Sequence, residues 1–220
     1  MSEGFVKLKG TYGERLYGSL STSGYEALDT VCFTSDPNHC IDNFQWFAVT
    51  FQDGGLASYK DGILGLTTQY NQFVTGPSLV WQMYEQSIIE EPVFAFYLAG
   101  PYEDSYFDAG VIQESAMKDP SKLIELDVIN DNAWWMNYLR GVAFDGVEYM
   151  LDKDIAITDT GTSCVYMPQQ YYDDFMSHVL SDVSSHDNYI RCQDIGKLPK
   201  IEFNFGNYWF EMNPEDYTVR

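Results

Sequence analysis

With 220 residues, 45% of them apolar, and with 17 Tyr, 14 Phe and 5 Trp, the chain is long enough to bury a sizeable core and too aromatic for a disordered tail. Its 33 Asp plus Glu against 12 Lys plus Arg give a formal charge of −21. That charge argues against phosphate backbones and anionic headgroups as partners, and no apolar stretch is long enough to span a bilayer.

The carboxylates are spread along the chain, which fits either a solvated acidic surface or adaptation to acid, where protonation relieves self-repulsion. From Phe5 to Phe51, short β-like runs are broken by Gly, Ser and Asp: Phe5 to Leu8, Gly18-Ser19-Leu20, Asp29 to Phe33 and Trp46 to Phe51. Spacings of this kind predict an antiparallel sheet. Within them, Thr11 to Gly18 reads as a hairpin tip, because Gly13 and Gly18 permit turn conformations, with Tyr12 at its base. In Asp61-Gly62-Ile63-Leu64-Gly65-Leu66, glycines bracket branched apolar residues, which predicts a buried strand passing close to other backbone.

Gly76-Pro77-Ser78 opens a helix through Leu79, Val80, Met83 and Ile88, with Ser78 as N-cap and Pro92 beyond its end. Val93 to Leu98 is a continuous apolar strand. A second half begins near Lys118, with strands at Leu123 to Val128, Trp134 to Leu139 and Val142 to Val147, the last carrying an Asp145-Gly146 hairpin signal. Pro168 starts a helix whose Tyr172, Phe175, Met176, Val179 and Leu180 fall on one face. Ile201 to Phe205 and Tyr208 to Met212 form a closing hairpin through Gly206-Asn207. The whole is mainly β with a few short helices, and no Pro/Gly/Ser linker marks a boundary.

Four cysteines are present. Cys32 and Cys40 flank a short turn-rich loop that a disulfide could close, and they lack the paired spacing of a zinc site. A local disulfide implies an oxidising compartment, yet the residues after Met1 show neither a basic nor an apolar leader region. Cytosolic free thiols and a missing upstream segment both remain open. His39, His178 and His186 share no metal-ligand spacing, and no Gly-x-Ser-x-Gly elbow is present.

Chemistry points to Asp159-Thr160-Gly161-Thr162, which follows the apolar run Ile155-Ala156-Ile157. A carboxylate between a β-rich run and a Gly-containing turn, with hydroxyls on both sides, can be held immobile at a strand end. As a bare tripeptide, Asp-Thr-Gly is more commonly an ordinary turn.

In order and spacing these features resemble the pepsin-like aspartic peptidases. The family's second active-site signature corresponds to Ile155 through Thr162, its first-lobe Asp-Gly-Ile-Leu-Gly-Leu to Asp61 through Leu66, and its flap Tyr-Gly to Tyr12-Gly13. The resemblance implies a bilobal fold with incomplete lobes, residues 1–117 from the first and 118–220 from the second. It implies Asp159 as a catalytic aspartate, Gly161 as the close-approach turn, Thr160 and Thr162 as orienting hydroxyls, and Tyr12 with Gly13 as the flap over bound peptide. Polypeptide substrates, sensitivity to pepstatin-like inhibitors, no metal or cofactor, and a lysosomal, vacuolar or secreted location follow from it as well.

The departures matter too. The family uses two aspartates, and Asp159 carries the only Asp-Thr-Gly here; Asp29-Thr30-Val31 lacks the glycine and follows the flap. The cysteine with which the family pairs the counterpart of Cys192 is absent, as is the apolar-apolar-Gly strand that closes the second lobe's loop. The expectation is an aspartic endopeptidase chain truncated at both ends and lacking its first-lobe aspartate. The alternative is a pepsin-like scaffold that binds a peptide or protein without cleaving it. Symmetric pairing of two such chains fits less well, because the halves are mismatched.

Overall fold

The structure, a computed structural model, describes residues 2–18, 20–54, 62–68, 77–100, 103–129, 134–182 and 189–218. Of the sequence features, Ser19, Asp61, Gly76, His186 and the side chains of Val179 and Leu180 lie outside the described residues. The chain forms two compact units, residues 1–123 and 124–220.

In the first unit, β3 (Leu20–Cys32) is the shared partner of β1 (Val6–Lys7), β2 (Gly13–Tyr17) and β4 (Cys40–Gly54), all antiparallel. Burial alternates along β3, with Leu20, Thr22, Gly24 and Glu26 turned inward, as a strand's two-residue period requires. Gly24 sits at a bulge where β4 comes very close: a Cβ there would lie 2.2 Å from the Ala48 carbonyl oxygen. Cys32 and Cys40 face each other across the ladder and are joined as a disulfide, while Cys164 and Cys192 are free and exposed.

Helix α1 (Leu79–Glu85) follows Ser78 at the N-cap position and buries Leu79, Val80 and Met83, with Leu79 and Met83 in one cluster with Ile41 of β4. The sequence predicts this helix to reach Ile88. It stops at Glu85, because Ser87 takes a left-handed φ of +57° and the Gln86 side chain bonds both the N–H and the carbonyl of Asp42. A two-stranded ribbon, β5 (Phe94–Tyr97) with β6 (Tyr106–Ala109), follows.

The buried strand expected over Asp61 to Leu66 is not formed in its described part. Residues 62–66 belong to no described strand, and Ile63 and Leu64 are 55% and 52% exposed; Leu66 alone of the three packs on the core. An apolar run becomes a strand only when neighbours accept its backbone groups.

The second unit is a four-stranded antiparallel sheet in the order β10 (Tyr208–Met212), β9 (Ile201–Phe205), β7 (Met136–Phe144), β8 (Val147–Ile157). Asp145 and Gly146 both have positive φ, 47° and 79°, as the two-residue hairpin turn joining β7 to β8 requires. The two strands expected between Trp134 and Val147 form one strand, β7, with an irregularity between Leu139 and Gly141. The strand expected at Leu123 to Val128 is irregular chain; the Asn137 side chain ties it by donating to the Asp127 carbonyl. Val142, Phe144 and Ile201 make the core, covered by Phe175 of α2 (Gln169–Asp182) and Tyr217 of α3 (Pro214–Tyr217).

Below this core, the 3-10 turn Cys192–Lys197 buries Asp194, whose two oxygens accept from Arg191 Nε at 2.7 Å and Lys197 Nζ at 2.8 Å. The Lys197 ammonium and then the Arg191 guanidinium hold its carboxyl below the usual range. A carboxyl with a lowered pKa contributes stability above its unfolded value, and this is lost as pH falls through the folded one.

Two outcomes are expected in urea titrations. Asp194→Asn lowers the unfolding midpoint at neutral pH, and its curve meets the wild type's only below the ordinary aspartate value of about 3.9; convergence near neutrality contradicts the cage. Gly24→Ala destabilises by roughly 2 kcal/mol or more through the Ala48 clash, while Gly65→Ala, which meets nothing within 4 Å, stays within about 0.5 kcal/mol.

Candidate active site

Strand β8 brings Asp159 to the edge of the sheet. Ile155, Ala156 and Ile157 pair with Tyr138, Asn137 and Met136, and the Thr158 N–H extends the contact by donating to the Trp135 carbonyl at 3.0 Å. Asp159 is therefore the first residue beyond a tethered strand.

The turn that follows is organised by the Asp159 carboxylate itself. Its Oδ1 accepts from the Gly161 N–H at 2.8 Å, its Oδ2 from the Thr162 hydroxyl, and its carbonyl from the Thr162 N–H at 3.2 Å. A short carboxylate side chain can reach the amide two residues on, which is why Asp suits this position. Gly161 serves space and not handedness: a Cβ there would stand 3.1 Å from Oδ1, so the carboxylate would have to give by a few tenths of an ångström. Each oxygen of an ionised carboxylate has two acceptor positions, so one on each remains for a water or a substrate group. The turn is exposed throughout residues 158–166.

Asp159, Gly161 and Thr162 thus meet at one carboxylate. Among the described residues, no hydrogen bond joins the Thr160 hydroxyl to it. Tyr12 and Gly13 belong to the other unit. Tyr12 precedes β2 with its side chain 68% exposed, and Gly13 is the first residue of β2, opposite Gly24. The hairpin tip expected over Thr11 to Gly18 is displaced. Residues 13–17 are the strand itself, paired rung by rung with β3, and the chain reverses after Tyr17 through Gly18, whose φ is +55°.

Two buried carboxylates escaped the motif search, Asp194 and Glu26, at 2% and 4% exposure. Glu26 had a readable signal, since it shares parity with Leu20, Thr22 and Gly24 on the inward face of β3. Asp194 had a weaker one, Arg191 and Lys197 each three residues away.

The profile of the family described as "Eukaryotic aspartyl protease" matches residues 6–220. Vacuolar protease A of Neurospora crassa is 30% identical over 228 residues, covering 97% of this chain and 53% of that protein. The vacuolar aspartic protease of Candida albicans is 28% identical, covering 97% and 51%, and pregnancy-associated glycoprotein 2 of Bos taurus is 23% identical, covering 93% and 53%. The chain spans about half the length of the curated relatives it matches.

Hydrogen exchange is expected to separate the two donors. Asp159→Ala accelerates exchange at the Gly161 amide by about tenfold, the effect of one lost hydrogen bond, whereas Thr162→Val leaves that amide protected. Equal rates in wild type and Asp159→Ala contradict a carboxylate-organised turn.

Proposed function

The chain belongs to the eukaryotic aspartyl protease family, and on that premise we propose that the protein carrying it is an endopeptidase that hydrolyses polypeptides with a water activated by Asp159. The observation that carries this reading is the doubly held Asp159 carboxylate at the end of β8.

Two carboxylates a hydrogen bond apart cannot both ionise cheaply, so they share a proton and titrate as a pair. The ionised member takes a proton from water as the water attacks the scissile carbonyl, and the protonated member supplies one to the carbonyl oxygen. Asp159 is one member. Gly161 and Thr162 fix its orientation, and Thr160 lines the turn. The second carboxylate comes from elsewhere than an Asp-Thr-Gly in these 220 residues, since Asp159 has the single copy.

A pepstatin-like peptide is the expected inhibitor, because it offers a hydroxyl to the carboxylate pair. The vacuolar relatives and the Cys32–Cys40 disulfide support an acidic, oxidising compartment, vacuolar or lysosomal, or secretion. The single Asp-Thr-Gly favours a second reading, a scaffold that binds peptides without cleaving them.

Peptide hydrolysis by the native protein at acidic pH decides between the two. The proposal expects pepstatin-sensitive turnover that Asp159→Asn lowers on the order of 10²- to 10⁴-fold. Peptide binding without turnover supports the second reading, and robust turnover untouched by Asp159→Asn sinks the first.

A further inference from the structure

We propose that the open end of the β5–β6 ribbon is a docking site for an arginine side chain of a polypeptide, held by the Tyr97 and Tyr106 rings together with the Glu103 and Asp104 carboxylates. The site lies within the first unit and does not involve Asp159, so it stands or falls apart from the peptidase reading.

The ribbon sorts its aromatic residues by the two-residue period of a strand. Phe94, Phe96 and Phe107 share one face and pack on one another. The other face ends on the Tyr97–Tyr106 rung, whose ring centroids stand 5.8 Å apart and whose side chains remain 44% and 56% exposed. Rings this close pack on each other, so a ligand meets them from outside. Beyond that rung the loop is pinned by two bonds: the Ala99 N–H donates to the Ser105 hydroxyl and the Glu103 N–H to the Gly100 carbonyl, both at 3.1 Å. Together with Ala116 of the 3-10 turn Glu114–Ala116, the two tyrosines and the two carboxylates line a cavity of about 390 Å³ that opens to solvent.

Its lining is aromatic and anionic. No lysine or arginine is among the described residues that line it, and among the described residues no ion pair reaches Glu103 or Asp104. An aromatic face attracts a cation through its quadrupole, and a carboxylate attracts one by charge and hydrogen bonding. Two carboxylates fall short of the roughly six to eight oxygens of a calcium site. The set is therefore fitted to an organic cation.

Elsewhere the same chain shows which cation such a set selects. Arg15 Nη2 donates to Glu26 Oε1 at 2.8 Å while its guanidinium carbon stands 4.7 Å from the centroid of the Phe47 ring. It passes over the Gly13–Gly24 rung, which carries no side chains, with Nη1 3.6 Å from where a Gly13 Cβ would stand. Lys7 Nζ, 3.7 Å from the centroid of the Tyr25 ring, takes the ring alone and has no carboxylate partner among the described residues. A planar guanidinium can stack on a ring and donate to a carboxylate at once, which an ammonium does less well. The end of the ribbon offers ring and carboxylate together. Because the cavity is open, it admits a side chain while the polypeptide that carries it stays in solvent.

The test titrates N-acetyl-arginine amide, and separately its lysine counterpart, into the full chain at low ionic strength and reads backbone amide shifts. The arginine probe is expected to saturate with its largest shifts at residues 103–106 and to bind about threefold or more tighter than the lysine probe. Tyr106→Leu and the double variant Glu103→Gln with Asp104→Asn are each expected to weaken it by about threefold or more, with unchanged α1 resonances as the folding control. Tyr106→Phe, which keeps the ring, is expected to bind as wild type does. Equal affinity for the two probes, or shifts spread over the acidic surface, reduces the effect to attraction by a chain of charge −21 and overturns the site. Wild-type affinity in Tyr106→Leu or in the double variant overturns it as well.

Discussion

The pairing of β8 with β7 is the constraint on which the candidate site depends. A carboxylate in a free loop samples many orientations, and holding one of them costs conformational entropy of about 1–2 kcal/mol per residue fixed. Here the ladder through Ile155, Ala156 and Ile157, extended by the Thr158 N–H, has already fixed the backbone up to the residue before Asp159. Gly161 and Thr162 then need to hold only one side chain. The β7 strand is in turn locked by β9 on its other edge, with Phe144 and Ile201 buried beneath the pair.

Much of this was legible in the residues. Strand periodicity and turn chemistry gave the Asp145-Gly146 hairpin, the Gly206 hairpin and the helix over residues 169–182, because in each the local preference and the ladder agree. The Asp159 turn was legible because Asp, Gly and Thr at those offsets satisfy one another without distant help. The misses have a common cause. Asp61 to Leu66 and Leu123 to Val128 are strand-like in composition, but composition supplies no ladder partner. The hairpin tip expected over Thr11 to Gly18 is displaced to Gly18 because Gly13, a turn residue by composition, lies inside a strand. There Gly13 is the bare rung over which Arg15 passes. No count of propensities carries such a use of glycine.

The buried ion pairs bear on how so acidic a chain stays folded. With a net charge of −21, most carboxylates repel one another, and protonating the exposed ones relieves that repulsion. Asp194 is different, since two cations face it within one turn and hold it ionised below the usual carboxylate range. This attraction is therefore lost only as pH falls below the usual carboxylate range, because two scarce cations stand beside one buried carboxylate.

The central claim is that the Asp159 turn is where a peptide's reacting centre meets this chain. The most direct measurement is the footprint of a pepstatin-like peptide on the backbone amide resonances of the protein at acidic pH. The account predicts the largest shifts at Asp159, Gly161 and Thr162. A saturable footprint that leaves the Asp159 turn unmoved contradicts it.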